Sequence, residues 1–152
     1  GSARYFKENG RCVHCAALEY ESRERSRIVA ENDLVVALAP FASKTAFELR
    51  VFPKNHAAHF ERIGAAERPA LAEILRIALV KLHRGLENPD YNLFLHTAPP
   101  DERDGYDHYH WHFEILPKTS IWAGFEIGTG IEISTIAPES AAKFLREVKT
   151  QP

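Results

Sequence analysis

The residues best suited to chemistry stand in one row: His108-Tyr109-His110-Trp111-His112-Phe113-Glu114-Ile115-Leu116-Pro117-Lys118. Read at a period of two, His108, His110, His112 and Glu114 share one face, and Tyr109, Trp111, Phe113 and Ile115 share the other. That alternation predicts a half-buried β-strand whose aromatic face enters a core. Lys, Thr or Ser would keep the opposite face soluble, so a face made of imidazoles and a carboxylate points to chemistry. Imidazole suits metal ligation and phosphoryl or proton transfer near neutral pH. A second signal is Cys12-Val13-His14-Cys15. Such a pair is half of a tetrahedral zinc site or a redox couple. A redox couple normally follows a strand, and this pair precedes every predicted one, which favours zinc. The chain has no further cysteine, so the other ligands must be His or carboxylate. His14, between the thiols, is expected to point away from a shared metal. His83 falls near the end of a predicted helix, where a His is favourable without any function. His56 follows Phe52-Pro53 at a place that faces the His strand, with His59 as its substitute.

These groups need a scaffold. Residues 3–11 read as a polar lead-in and 16–26 as a solvated loop or short helix. Asp33–Ala39 is an apolar run ended by Pro40, a predicted strand. Ala46–Phe52 alternates, with Phe47, Leu49 and Val51 on one side and Glu48 and Arg50 on the other, and Pro53 stops it. From Ala66 to Leu86 the apolar period becomes helical (Leu71, Ile74, Leu75, Ala78, Leu79, Leu82), with Gly85 as a stop. Tyr91–Thr97 is a further strand. Ile121–Gly130, with Gly124, Gly128 and Gly130, reads as a close-approach loop, and Ile131–Ile136 as a last short strand. Pro138–Lys149 is a terminal helix with Pro near its start and Glu139 in its first turn. Strands flanking one long helix predict an α+β domain with a mainly antiparallel sheet.

The whole-chain properties narrow the function classes. At 152 residues the chain is one domain with a proper core, and 45% hydrophobic with 26% charged residues is ordinary for a globular protein. A formal charge of -2 without a Lys/Arg cluster argues against a general nucleic-acid binder. No apolar run is long enough for a bilayer and no signal peptide is apparent, so no membrane partner is expected. Gly1-Ser2 reads as a cloning scar ahead of a single domain at 3–150. Two cysteines this close are not a secreted disulfide framework, and a reducing cytoplasm is expected.

Phe52-Pro53-Lys54-Asn55-His56, followed by His110-Trp111-His112-Phe113-Glu114-Ile115-Leu116-Pro117-Lys118, resembles the histidine-triad superfamily. The closer likeness is to the galactose-1-phosphate uridylyltransferase branch, and to its C-terminal half. Leu95-His96-Thr97-Ala98-Pro99 is similar to that half's His-x-Ala-Pro, Gly124-Phe125-Glu126 to its Gly-Tyr-Glu, and Ala137–Val148 to its last helix. The resemblance implies a histidine-triad-like fold and a nucleotidyltransferase of the galactose pathway. It implies zinc on Cys12, Cys15, His56 and His110. It puts His112 in the nucleophile's position and Glu114 third in the triad, where hydrolases have His and the transferases Gln. An alternative register makes His108, His110 and His112 the triad. In some relatives, residues matching His96, His110 and His112 hold a second metal, iron among the possibilities. Asn92 and Lys118 are expected to hold phosphate or ribose, and Glu126 sugar hydroxyls across a homodimer. The implied partners are a nucleotide sugar, a sugar phosphate and an N-terminal catalytic half. Two other outcomes stay open: a non-catalytic zinc-stabilised half, or a free-standing nucleotide hydrolase.

Overall fold

A computed structural model of the chain describes residues 1–101, 105–119, 124–131 and 133–150. Two helices lead, α1 (Ser2–Asn9) and α2 (Val13–Glu24), followed by strands β1 (Ile28–Glu31), β2 (Val35–Leu38) and β3 (Leu49–Pro53). The long helix α3 (Glu67–Gly85) comes next, then β4 (Tyr91–His96), β5 (His112–Pro117), α4 (Gly124–Thr129) and α5 (Pro138–Glu147). The strands form one sheet in the order β1-β2-β3-β5-β4, antiparallel throughout. The predicted α+β architecture is what forms.

The two faces of the sheet divide structure from chemistry. On one face Val35, Ala37, Leu49, Val51, Trp111 and Ile115 meet Leu71, Ile74, Ala78 and Leu82 of α3, and Ala142 and Leu145 of α5 complete that core. The helical spacing within Leu71–Leu82 is what lets one stripe of α3 lie on alternating strand residues. Gly85 has no room for a side chain, since a Cβ there would sit 2.9 Å from Val148 Cγ2 and 3.0 Å from Phe144. The Lys81 ammonium is buried and donates to the last carbonyls of α5, those of Leu145, Arg146 and Val148. On the opposite face α2 covers β1–β3 through a small cluster of Leu18, Ile28, Val36, Leu38 and Phe52. Its β5–β4 side carries the histidines.

Several boundaries differ from the reading of the sequence. Residues 3–11 are mostly helix, for α1 buries nothing and stands on its own turns with an Arg4–Glu8 pair. β1 carries no signal in the sequence, since its four residues follow a charged stretch and show no full period. β3 begins at Leu49 rather than Ala46, because Phe47 adopts a left-handed backbone with φ of 63°. The His strand starts at His112. Before it, Tyr109 N–H turns back to Tyr106 O, and Trp111 N–H goes to Ala57 O instead of a strand partner. Within the expected loop 121–130, residues 121–123 lie outside the described residues and Gly124–Thr129 is helix. The described part of 131–136 forms no strand, and Ile131 and Ile133 are exposed.

Candidate metal centre and histidine site

Cys12 caps α2 and Cys15 lies in its first turn, so the helix start presents both thiols to one side. His56 arrives from the loop after β3 and His110 from the turn before β5. The ligand atoms of Cys12, Cys15, His56 and His110 all lie within 4.8 Å of one another. Cys15 Sγ is 3.3 Å from His56 Nδ1 and 3.5 Å from His110 Nδ1. His110 is fully buried, and its Nε2–H donates to Pro53 O at 2.9 Å, which leaves the Nδ1 lone pair for the cluster. Burial holds the His110 imidazole down at about 4, so it is neutral at pH 7, as a ligand must be. Burial, and then the neighbouring Cys12, push the Cys15 thiol up to about 11. Two thiolates side by side need a cation between them, and two thiolates plus two neutral imidazoles are the donor set of a closed zinc site. The donors fit the group. His59 is not among them, because its Nδ1 pairs with Glu61. His108 is not among them either, for its ring turns to Gly105 O.

A second group converges one step along β5. His112 and Glu114 share a face with His96, whose strand position pairs directly with His112. His112 Nδ1–H donates to His110 O at 2.9 Å, so Nε2 carries the free lone pair. The ring is stacked between Phe52 and His96, with centroids 4.7 and 4.9 Å away, and His14 lies 4.9 Å off a further side. Glu114 is buried. Its oxygens lie 2.9 Å from Arg50, 3.3 Å from His96 Nε2, 3.7 Å from Lys44 and 3.8 Å from His112 Nε2. His112, then Arg50, Lys44 and His96, hold that carboxyl down at about 2, so it is anionic. The fully buried Glu48 braces Arg50 at 3.0 Å and accepts from Lys44 N–H. Two cations face two carboxylates here, so Glu114 does not leave the site net negative. A cavity of about 180 Å³ opens beside this group, with His14, Phe41, Arg50 and Phe52 in its wall.

The sequence reading is altered in three respects. His14 does not bind the metal cluster, as expected, yet it faces His112 rather than solvent. Glu48 and Arg50, read as the polar side of their strand, support Glu114, with Glu48 fully buried and Arg50 half-buried. The second metal group is His96, His112 and Glu114, whose ligand atoms lie within 4.8 Å. His110 belongs to the thiolate cluster instead, because its Nδ1 faces Cys15 while its Nε2 is used by Pro53. Alternation along the motif gave no signal for this division. The remaining predicted residues stand apart from His112. Asn92 is four positions along β4 from His96, opposite Leu116. Lys118 follows β5, six residues and about 20 Å of strand from His112. Glu126 sits on α4. His83 bonds Asn88 at the end of α3, a structural role as read.

The two sheet edges are unlike. Arg146 of α5 donates to Ser26 O and Ile28 O, blocking the β1 edge. β4 is exposed along its length, with Tyr91, Leu93, Phe94 and Leu95 uncovered on both faces. Such an apolar open edge is a pairing surface.

Known proteins resemble this chain in sequence and in fold. Residues 2–151 match the family model described as galactose-1-phosphate uridyl transferase, C-terminal domain. ADP-glucose phosphorylase from Arabidopsis thaliana is 36% identical over 97% of the chain, which covers 41% of that protein. A crystal structure of an Arabidopsis ADP-glucose phosphorylase with bound ADP-glucose superposes with a TM-score of 0.85 at 35% identity, over 98% of this chain and 47% of the other. The chain thus spans less than half the length of these relatives. A zinc-bound histidine triad family protein from Mycobacterium smegmatis shares the fold, with a TM-score of 0.59 at 17% identity, over 89% of this chain and 90% of the other.

Proposed function

Because the chain belongs to the galactose-1-phosphate uridylyltransferase family, as its C-terminal domain, we propose that it serves in moving a nucleoside monophosphate between a nucleotide sugar and a sugar phosphate or phosphate. The observation that carries this reading is the His112 tautomer: with Nδ1–H held by His110 O, the lone pair on Nε2 is the one that reacts. Nε2 attacks the α-phosphorus, a P–N bond forms, and the bond to the sugar phosphate breaks, releasing that group with its electron pair. The acceptor phosphate then attacks the nucleotidyl-histidine and returns the imidazole with its lone pair. Dividing the transfer avoids bringing two phosphate anions together and predicts ping-pong kinetics. Lys44 and Arg50 offset the charge of Glu114 during the attack. Glu126 is assigned to sugar hydroxyls, while Asn92 and Lys118 stand too far along the strands from His112 to hold, in the same chain, the phosphate it attacks. Cys12, Cys15, His56 and His110 would hold zinc, which with four protein ligands supplies bracing rather than a reactive water.

A different observation favours a supporting role. Glu114 and His96 flank Nε2 of His112, and the three suit a divalent metal, zinc or iron. A metal there would occupy the nucleophile's lone pair, and the reacting His would belong to an N-terminal half. The open β4 edge supports docking of such a half, or a homodimer. Free thiols support a reducing, cytoplasmic setting. No helix among the described residues is long and apolar enough to cross a membrane.

The deciding experiment is intact-protein mass of zinc-loaded chain after incubation with ADP-glucose or UDP-glucose, repeated on His112→Ala. A nucleotidyl adduct on wild type alone establishes His112 as the nucleophile. Zinc-loaded protein that gains no adduct from either sugar nucleotide overturns that role and leaves the supporting half.

A further inference from the structure

α2 is thinly held for a helix that begins at the metal centre. Within Val13–Glu24 only Glu21 is buried, and Leu18 is the residue packed on the small apolar cluster. Two polar anchors remain. At its far end Glu21 Oε1 takes Arg27 Nε at 2.9 Å and Nη2 at 2.8 Å. At its start Cys12 and Cys15 meet His56 and His110, which belong to the sheet side. Between those two cysteines stands His14, its ring 4.9 Å from His112 and 5.5 Å from Phe52. No hydrogen bond or ion pair holds that ring among the described residues, so its place follows from the first turn of α2 and from its ring contacts with Phe52 and His112.

We infer that His14 is a positioning residue for His112 and that zinc puts it in place. This rests on the zinc reading of Cys12, Cys15, His56 and His110. Drawing four ligand atoms onto one centre locks the first turn of α2 against the sheet and carries His14 onto the open side of His112. With Phe52 and His96 stacked on the two faces of the ring, His14 narrows the remaining approach to Nε2. Without the ion the thiols are protonated, and only weak thiol–imidazole hydrogen bonds, Cys15 Sγ to His56 Nδ1 at 3.3 Å and to His110 Nδ1 at 3.5 Å, hold the turn in place of four metal bonds. The turn lifts, and His112 is uncovered. A metal whose ligand set is purely structural thereby controls the imidazole two residues beyond its own ligand.

The test is site-resolved labelling by diethyl pyrocarbonate, followed by peptide mass spectrometry, with exposed His83 as the internal reference and zinc content measured on the same samples. In zinc-loaded wild type His112 labels slowly relative to His83. His14→Ala with zinc still at one per chain is expected to label His112 about tenfold faster, the size of a modest local opening. His14→Phe, which keeps a ring of similar shape, restores the slow rate. Zinc-stripped wild type labels like His14→Ala, and its α2 amides exchange faster while those of α3 do not. Slow labelling of His112 in His14→Ala that retains zinc, or in stripped wild type, overturns the inference. Absence of one bound zinc per chain in wild type overturns instead the zinc reading beneath it.

Discussion

Replacing Lys81 by Met tests how the helical layer behind the site is secured. The Lys81 ammonium, buried on α3, donates to Leu145 O at 2.7 Å, Val148 O at 2.8 Å and Arg146 O at 3.1 Å. It therefore ties the C-terminal, partially negative end of α5 to α3. Burial lowers its pKa, so part of the gain is spent on desolvation. The Leu145 bond is buried, and an orphaned buried acceptor costs about 1–3 kcal/mol. The other two are part-buried and regain water, leaving the loss of a cation at a helix end, about 1 kcal/mol. Met keeps the length and apolar stem, so the packing of the side chain's hydrocarbon part changes little. The sum is about 2–4 kcal/mol. A domain of this size loses about 2–4 °C of Tm for each kcal/mol. Urea unfolding of zinc-loaded protein should show a lower midpoint with an unchanged slope. A loss under about 1 kcal/mol would refute the reasoning and mean that water replaces the ammonium at all three carbonyls.

Further outcomes follow from the site and its edge. Leu93→Lys, at an exposed position of β4, should change stability by less than about 0.5 kcal/mol yet weaken homodimer or companion-half association in sedimentation; unchanged association removes β4 as the docking edge. In metal-free protein burial holds His14 and His110 at about 4 against an ordinary 6.5. The unfolded chain takes up these protons first, so stability falls as pH drops from 6.5 to about 4, by at most about 1.4 kcal/mol per unit for each group. Glu114, depressed to about 2, adds its own loss below 4.5. Urea midpoints in chelator at pH 7, 6 and 5 check this, and a flat profile contradicts it. Arg50→Met removes the 2.9 Å partner of Glu114 and should reduce the nucleotidyl adduct more than it alters zinc content; equal loss of both would mean it acts on the fold alone.

Local periodicity determined a good deal. The alternating strand that forms as Leu49–Pro53, the helical stripe of Leu71–Leu82 and the Pro-initiated last helix were legible because side-chain direction repeats along one segment. The thiol pair was legible for a similar reason, as a helix start puts both sulfurs on one side. With the resemblance, the ligand set Cys12, Cys15, His56 and His110 could be named before any coordinates, and the four do converge. Tertiary structure decided the rest. His110 and His112 are two residues apart and look equivalent at a period of two, yet His110 precedes the strand and turns under Pro53 while His112 stands within it. The pairing of Arg50 with Glu114 follows from β3 lying beside β5, and the approach of His96 from β4 lying on its other side. That order is not the order of the chain, and no local pattern encodes it. His14 meets His112 only because α2 is laid across the sheet, a placement set by long-range contacts and, by our inference, by the metal. A short run such as 131–136 reads as a strand, but a strand needs a neighbour, and the described residues of that run pair with no strand of the sheet.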